Sequence, residues 1–160
     1  MALRKPLVLN AGQIQQLQSG DTLDAVQSGG DAVVQTNDEA TPIVIGTPVY
    51  NDVADGVKKA RANAVGTTYV LGLVRDTSIA NGVSGAIQVS GVMTATTGQW
   101  DTAFGTTGGL TVGTDYYLSS SAAGIGTSTS PTVAGNYVVY LGRALSTTEL
   151  NVTIDRPILL

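Results

Sequence analysis

The stretch from Gly109 to Asp155 constrains the fold most. It reads GLTVGTDYYLSSS, then a Gly/Ser/Thr passage, then GNYVVYLGRALSTTELNVTID. Its apolar runs are short, rich in β-branched and aromatic residues, and opened by Gly, Thr, Asn or Asp. Half-buried strands of about five to eight residues joined by tight turns have this pattern, so an antiparallel meander is predicted. An earlier segment echoes it: Gly66 to Arg75 and Gly135 to Arg143 both carry Tyr-Val-x-x-Leu-x-Arg.

The rest of the composition agrees. Hydrophobic residues make up 42% and charged residues 12%, the latter about half the usual share. Thr, Ser and 20 Gly take up the difference. Surface helices lean on Glu, Lys and Arg, so this composition favours strands and turns. A thinly charged surface also suits a protein that lives assembled with others. At 160 residues the chain is long enough for one domain with a real core.

Several function classes fall away on residue inventory. With no His and no Cys, Ser-His-Asp triads, Cys-His pairs, imidazole and thiolate metal sites and disulfides are excluded. The 8 Lys and Arg residues are scattered and the formal charge is −4. Nucleic-acid binding releases counterions through clustered basic residues, so no nucleic-acid partner is expected. The glycine run Gly105-Thr106-Thr107-Gly108-Gly109 lacks the lysine and the following helix of a phosphate loop, and reads as a turn. Paired carboxylates for glycoside hydrolysis would have to be drawn from scattered acidic turn residues, so the chain is read as no enzyme and as needing no cofactor.

Residues 1–30 are predicted to form an N-terminal arm and residues 31–160 the β domain. Within the arm, Leu7-Val8-Leu9 reads as a short strand, and Ile14 and Leu17 have the spacing of one helical turn. The basic opening has too short an apolar core for a secretory signal. No window approaches the roughly 18 apolar residues of a membrane span, so a soluble protein made in a cytoplasm is expected, with no membrane partner.

Further along, Pro42 and Pro48 place their strand at an edge or its ends. Lys58, Lys59 and Arg61 suggest an exposed edge that blocks stray pairing. Asn81-Gly82 signals a hairpin turn, and Gly91 a bulge. One short helix is predicted near Gln99–Phe104, where Trp100 and Phe104 sit one turn apart and cap an open barrel end. The apolar close Ile158-Leu159-Leu160 should lie against something. Oxygen-rich loops at Asn37-Asp38-Glu39 and at Asn51, Asp52, Asp55 read as solvated turns ahead of calcium sites. Tyr69, Tyr116, Tyr117, Tyr137 and Tyr140 read as core or interface ahead of a glycan site.

A family resemblance then emerges. MALRKPLVLNAGQIQQLQSGDTLDA is similar to the opening of tailed-bacteriophage virion proteins. IVIGTPVYND, QVSGVMTATTGQWD, GGLTVGTDYYLS and YLGRALSTTELNV resemble the β domain of phage capsid cement (decoration) and head- or tail-fibre proteins. The resemblance implies a β-rich domain on the outer surface of a capsid shell, made in the host bacterial cytoplasm. It further implies bridging of the major capsid protein's subunits, often as a homotrimer. It supplies no catalytic residues. The alternative within the same resemblance is a fibre subunit that meets the host surface.

The expectation is therefore an all-β fold: a small β-barrel or sandwich of short antiparallel strands, with an extended arm and one short helix. Its candidate partner-facing residues are Leu7, Val8, Leu9, Ile14, Leu17, Ile158, Leu159 and Leu160. Leu7 to Leu9 would add a strand to a capsid sheet edge.

Overall fold

A computed structural model describes residues 31–52 and 56–160, together with the backbone pairing of residues 7–10 and 13–16. Strands β1 (Leu7–Asn10) and β2 (Gln13–Gln16) form an antiparallel pair with Leu9 opposite Ile14. Ile14 thus lies on a strand and not on a helical turn. The rest of the predicted arm lies outside the described residues.

A first unit follows: β3 (Ala32–Asn37), β4 (Ile43–Val44), β5 (Pro48–Asn51), β6 (Gly56–Lys59), β7 (Val70–Val74), β8 (Ser78–Ile79) and β9 (Ser84–Gln88). Five of these close a barrel in the order β3-β6-β5-β7-β9. Its ladders are antiparallel except β3 with β6, which is parallel. The second unit has β10 (Ser90–Thr94), the helix α1 (Thr97–Phe104), β11 (Asp115–Leu118), β12 (Gly126–Thr127), β13 (Tyr137–Val138), β14 (Tyr140–Ala144), β15 (Glu149–Thr153) and β16 (Ile158–Leu159). Its five-stranded sheet runs β10-β15-β14-β11-β12. The fold is all-β with a small barrel, as the sequence predicts.

The two units are versions of one topology. Reading β3, β5, β6, β7, β9 as β10, β11, β12, β14, β15 turns one strand order into the other. The hydrogen bonds match as well. Gly46 N donates to Val74 O and Val74 N to Thr47 O; Gly113 N donates to Ala144 O and Ala144 N to Thr114 O. Gly46 and Gly113 both hold positive φ, 82° and 75°, a turn conformation that glycine adopts without a Cβ clash. Both ladders also shift register at the same place, after Val49 in β5 and after Tyr116 in β11. The aligned sequences agree, IVIGTPVY (43–50) with LTVGTDYY (110–117) and AIQVS (86–90) with ELNVT (149–153).

What differs is closure. In the first unit β3 meets β6 and the barrel fills with Ile43, Val49, Val57, Val74, Ile79 and Ile87. In the second, β10 and β12 do not pair. The connection between the first two sheet strands, 38–47 in the first unit, is 95–114 in the second, and the longer one contains α1. Thr96 caps α1: its hydroxyl accepts from Gln99 N, while Gln99 Oε1 accepts from Thr96 N at 2.8 Å. Gly105, at φ 62°, ends it. These reciprocal bonds satisfy donors that the first helical turn leaves open.

The helix acts as a wedge. Trp100 and Phe104 are buried, and the Phe104 ring packs against Tyr116 with centroids 5.0 Å apart and planes tilted by 36°. Trp100 Nε1 donates to Thr148 O at 3.0 Å. On the barrel side, Trp100 and Ala103 press so closely on Gly46 that a Cβ there would fall 2.8 Å from that of Ala103; on the sheet side, Phe104 leaves no room for a side chain at Gly126. The predicted helix therefore caps the open unit and joins it to the closed one. Strand alternation does the rest: Val74 points into the barrel, while its neighbour Leu73 points out into the core shared with Tyr116, Leu118, Leu141 and Leu150.

Two local expectations change and a third is refined. Strand β6 pairs with β3 only at Gly56 and Val57, so Lys58 and Lys59 have a strand partner, β5, on one side alone, and Lys59 N donates instead to Glu39 Oε1. The Asn81-Gly82 turn does not join a hairpin, because β8 pairs with β4. Gly91 has φ 82° but keeps its register opposite Val152, so it makes no bulge.

Candidate binding face

Of the predicted partner residues, the closing segment is the best defined. After β15 the chain turns at Asp155, whose N–H donates to Tyr140 O at 3.2 Å. Ile158 and Leu159 then pair with Val138 and Tyr137, and Leu160 exchanges hydrogen bonds with Asn136 and Gly135. The segment does lie against the body, but by its backbone. Its side chains face out: Ile158 is 63%, Leu159 62% and Leu160 42% exposed, with Val133 at 64% close by. Leu160 N donates inward to Asn136 O, so by antiparallel alternation Leu159 and Pro157 turn their main chain to the free edge. Pro157 has no N–H to offer, which weakens that edge for strand addition. This ribbon presents side chains for docking.

Beside it lies a groove of about 310 Å³ lined by Asp115, Tyr117, Val138, Tyr140, Asp155, Arg156 and Ile158. Tyr117 and Tyr140 project from paired positions on β11 and β14, their rings edge to face with centroids 5.8 Å apart. The Tyr140 hydroxyl donates to Asp115 Oδ1 at 3.3 Å, and Arg143 Nη1 stands 3.7 Å from the same oxygen. Burial, followed by the Asp115 charge, raises the Tyr140 pKa above its ordinary value, so the phenol stays protonated and a donor. A second groove of about 140 Å³ shares Asp155 and Arg156 and runs on to Tyr69 and Val70.

The five tyrosines thus separate. Tyr116 is core, its phenol oxygen accepting from Thr111 N. Tyr137 packs against the core. Tyr69, Tyr117 and Tyr140 line the grooves. Alternation within Asp115-Tyr116-Tyr117-Leu118 was the available signal: one tyrosine in, the next out. Nothing in the sequence marked Asp155 and Arg156, which the turn after β15 brings to the same place.

Other candidates are absorbed by structure. Gly108 and Gly109 aim their amides at Asp101, so the glycine run cradles a carboxylate of its own chain. Lys58 pairs with Asp52 at 2.5 Å, Lys59 Nζ reaches the Thr41 hydroxyl and Arg61 Nε donates to Ser120 O. Among the described residues no group of three or more acidic side chains converges as a metal site, and no helix is long and apolar enough to cross a membrane. Leu7, Val8 and Leu9 lie on β1 and Ile14 on β2, while Leu17 lies outside the described residues. No protein-family model and no curated protein matches the chain in sequence.

Proposed function

We propose that the chain is a bacteriophage capsid decoration protein that binds the outer surface of the shell and stabilises it by bridging subunits of the major capsid protein, as a homotrimer. The observation that carries this reading is the ribbon of Ile158, Leu159 and Leu160, apolar side chains held outward on a main chain that is itself pinned to β13. Exposed apolar residues on a fixed backbone bind with little ordering cost.

The rest of the molecule supports the role mechanically. Two units share one core through the α1 wedge, so a load on one is carried to the other. The low charge and net negative balance suit a position outside the shell, away from packaged DNA. A stable joint buries about 1,600 Å² in total, more than the ribbon alone offers, and a trimer supplies the remainder by engaging several sites at once. The phrase-by-phrase likeness to phage virion proteins points the same way.

The test is reconstitution. Heads of the cognate phage lacking this protein are mixed with the purified chain, pelleted and heated. The reading expects saturable binding and a raised temperature of DNA release, both lost with Leu159→Asp. Absence of binding to heads, together with binding to host cells, would instead identify a fibre subunit.

A further inference from the structure

We propose that the tyrosine-lined trough formed by the two grooves is a binding site for a neutral linear oligosaccharide, with Tyr117 and Tyr140 stacking on a sugar ring and Asp115, Asp155 and Arg156 hydrogen-bonding its hydroxyls. Both grooves are lined by Asp155 and Arg156, and the second adds the exposed Tyr69, so together they offer surface for more than a single ring. Its larger part, about 310 Å³, falls at the lower end of ordinary ligand sites, about 300–1,000 Å³.

The chemistry selects the occupant. Sugars present weakly polar C–H faces and rows of hydroxyls, and this trough alternates aromatic rings with planar charged groups. Asp115 is held by the Tyr140 hydroxyl and Arg143, which fixes its orientation and leaves lone pairs for further donors. Asp155 and Arg156 are exposed, and among the described residues neither side chain has an ion-pair partner. The Asp155 carboxylate can accept from sugar hydroxyls and the Arg156 guanidinium can donate to them, and their opposite charges leave no net charge that would demand an ionic ligand. A peptide fits less well. Strands β11 and β14 are paired on both edges, and the free edge of β16 beside the trough is interrupted by Pro157, which has no N–H to give to an added strand. Tyr117 and Tyr140 are paired on the sheet, which positions these two rings more rigidly than a loop does.

The probes are maltohexaose, cellohexaose and chitohexaose, titrated into the full chain with saturation-transfer and chemical-shift NMR. At least one should bind with a Kd of about 1 mM or tighter. Tyr117→Ala and Arg156→Ala should each weaken it by about tenfold or more; Arg156 is exposed, so its removal leaves the fold intact. Tyr69→Ala should weaken the hexasaccharide that binds and leave binding of its disaccharide (maltose, cellobiose or chitobiose) unchanged. The proposal is overturned if none of the probes binds at about 10 mM, or if both variants bind as the parent does. It is equally overturned if the trough seats a second copy, shown by a concentration-dependent dimer that Tyr117→Ala dissolves.

Discussion

Removing the indole at position 100 tests the wedge most sharply. Trp100 is fully buried between the barrel and the sheet, so Trp100→Ala loses the transfer energy of a large side chain and leaves a cavity, about 3–5 kcal/mol together. The lost Nε1 hydrogen bond adds little, because Thr148 O keeps a second donor in Ala95 N at 3.0 Å, and no buried acceptor is stranded. A loss of about 4 kcal/mol would take a large share of the 5–15 kcal/mol typical of a domain. The assay is urea unfolding followed by far-ultraviolet circular dichroism, since the chain's 1 Trp is the residue removed. Hydrogen exchange locates the damage. Protection should fall most on β11 and β15, which depend on the wedge, and least on β3 and β9, whose barrel has a core of its own. A loss below about 1 kcal/mol, or damage spread evenly over both units, would refute the wedge.

Other perturbations follow from the same contacts. Gly126→Ala drives a methyl into the Phe104 ring and should lower stability by about 1–3 kcal/mol in the same unfolding assay. Thr96→Ala removes half of the α1 capping box and should cost about 1 kcal/mol. The Gly109 amide, then the Thr106 hydroxyl and the Gly108 amide, hold the Asp101 carboxyl below its ordinary value of 3.8. A lowered folded-state pKa adds stability above that ordinary value and loses it as pH falls through the lowered one. Asp101→Asn should therefore be less stable than the parent at neutral pH, with the gap closing in thermal melts below pH 3.8. Leu159→Asp changes an exposed side chain and should shift monomer stability by less than about 0.5 kcal/mol while abolishing binding to heads.

The sequence made the strands legible because turns and alternation are local signals. It also displayed the helix, since Trp100 and Phe104 meet only if the chain coils. The internal repeat was visible in the wrong register. Tyr-Val-x-x-Leu-x-Arg sets Gly72 against Tyr140, whereas the ladders set Gly72 opposite Val49 and Gly142 opposite Tyr116. Close backbone approach decides the alignment: a side chain at Gly72 would strike Gln88 O, and one at Gly142 would strike Asn151 O. Closure of the barrel through a parallel contact of β3 and β6 joins residues far apart in the chain, and no local pattern encodes it. The tail was legible as apolar, but its outward display depends on β13, whose Tyr137 N–H is engaged by Ala62 O of the first unit. The groove charges were invisible for the same reason: Asp115 and Asp155 come together only through the second unit's sheet order.

The central claim, a chain whose exposed apolar ribbon grips a viral shell, is tested most directly by electron cryomicroscopy of the virion. The account expects density matching the barrel and its companion sheet on the outer capsid surface, in groups of copies at junctions between capsid subunits, with Ile158 to Leu160 buried at a contact. Density for this chain inside the shell or at a fibre tip, or on the shell with that ribbon facing solvent, would contradict it.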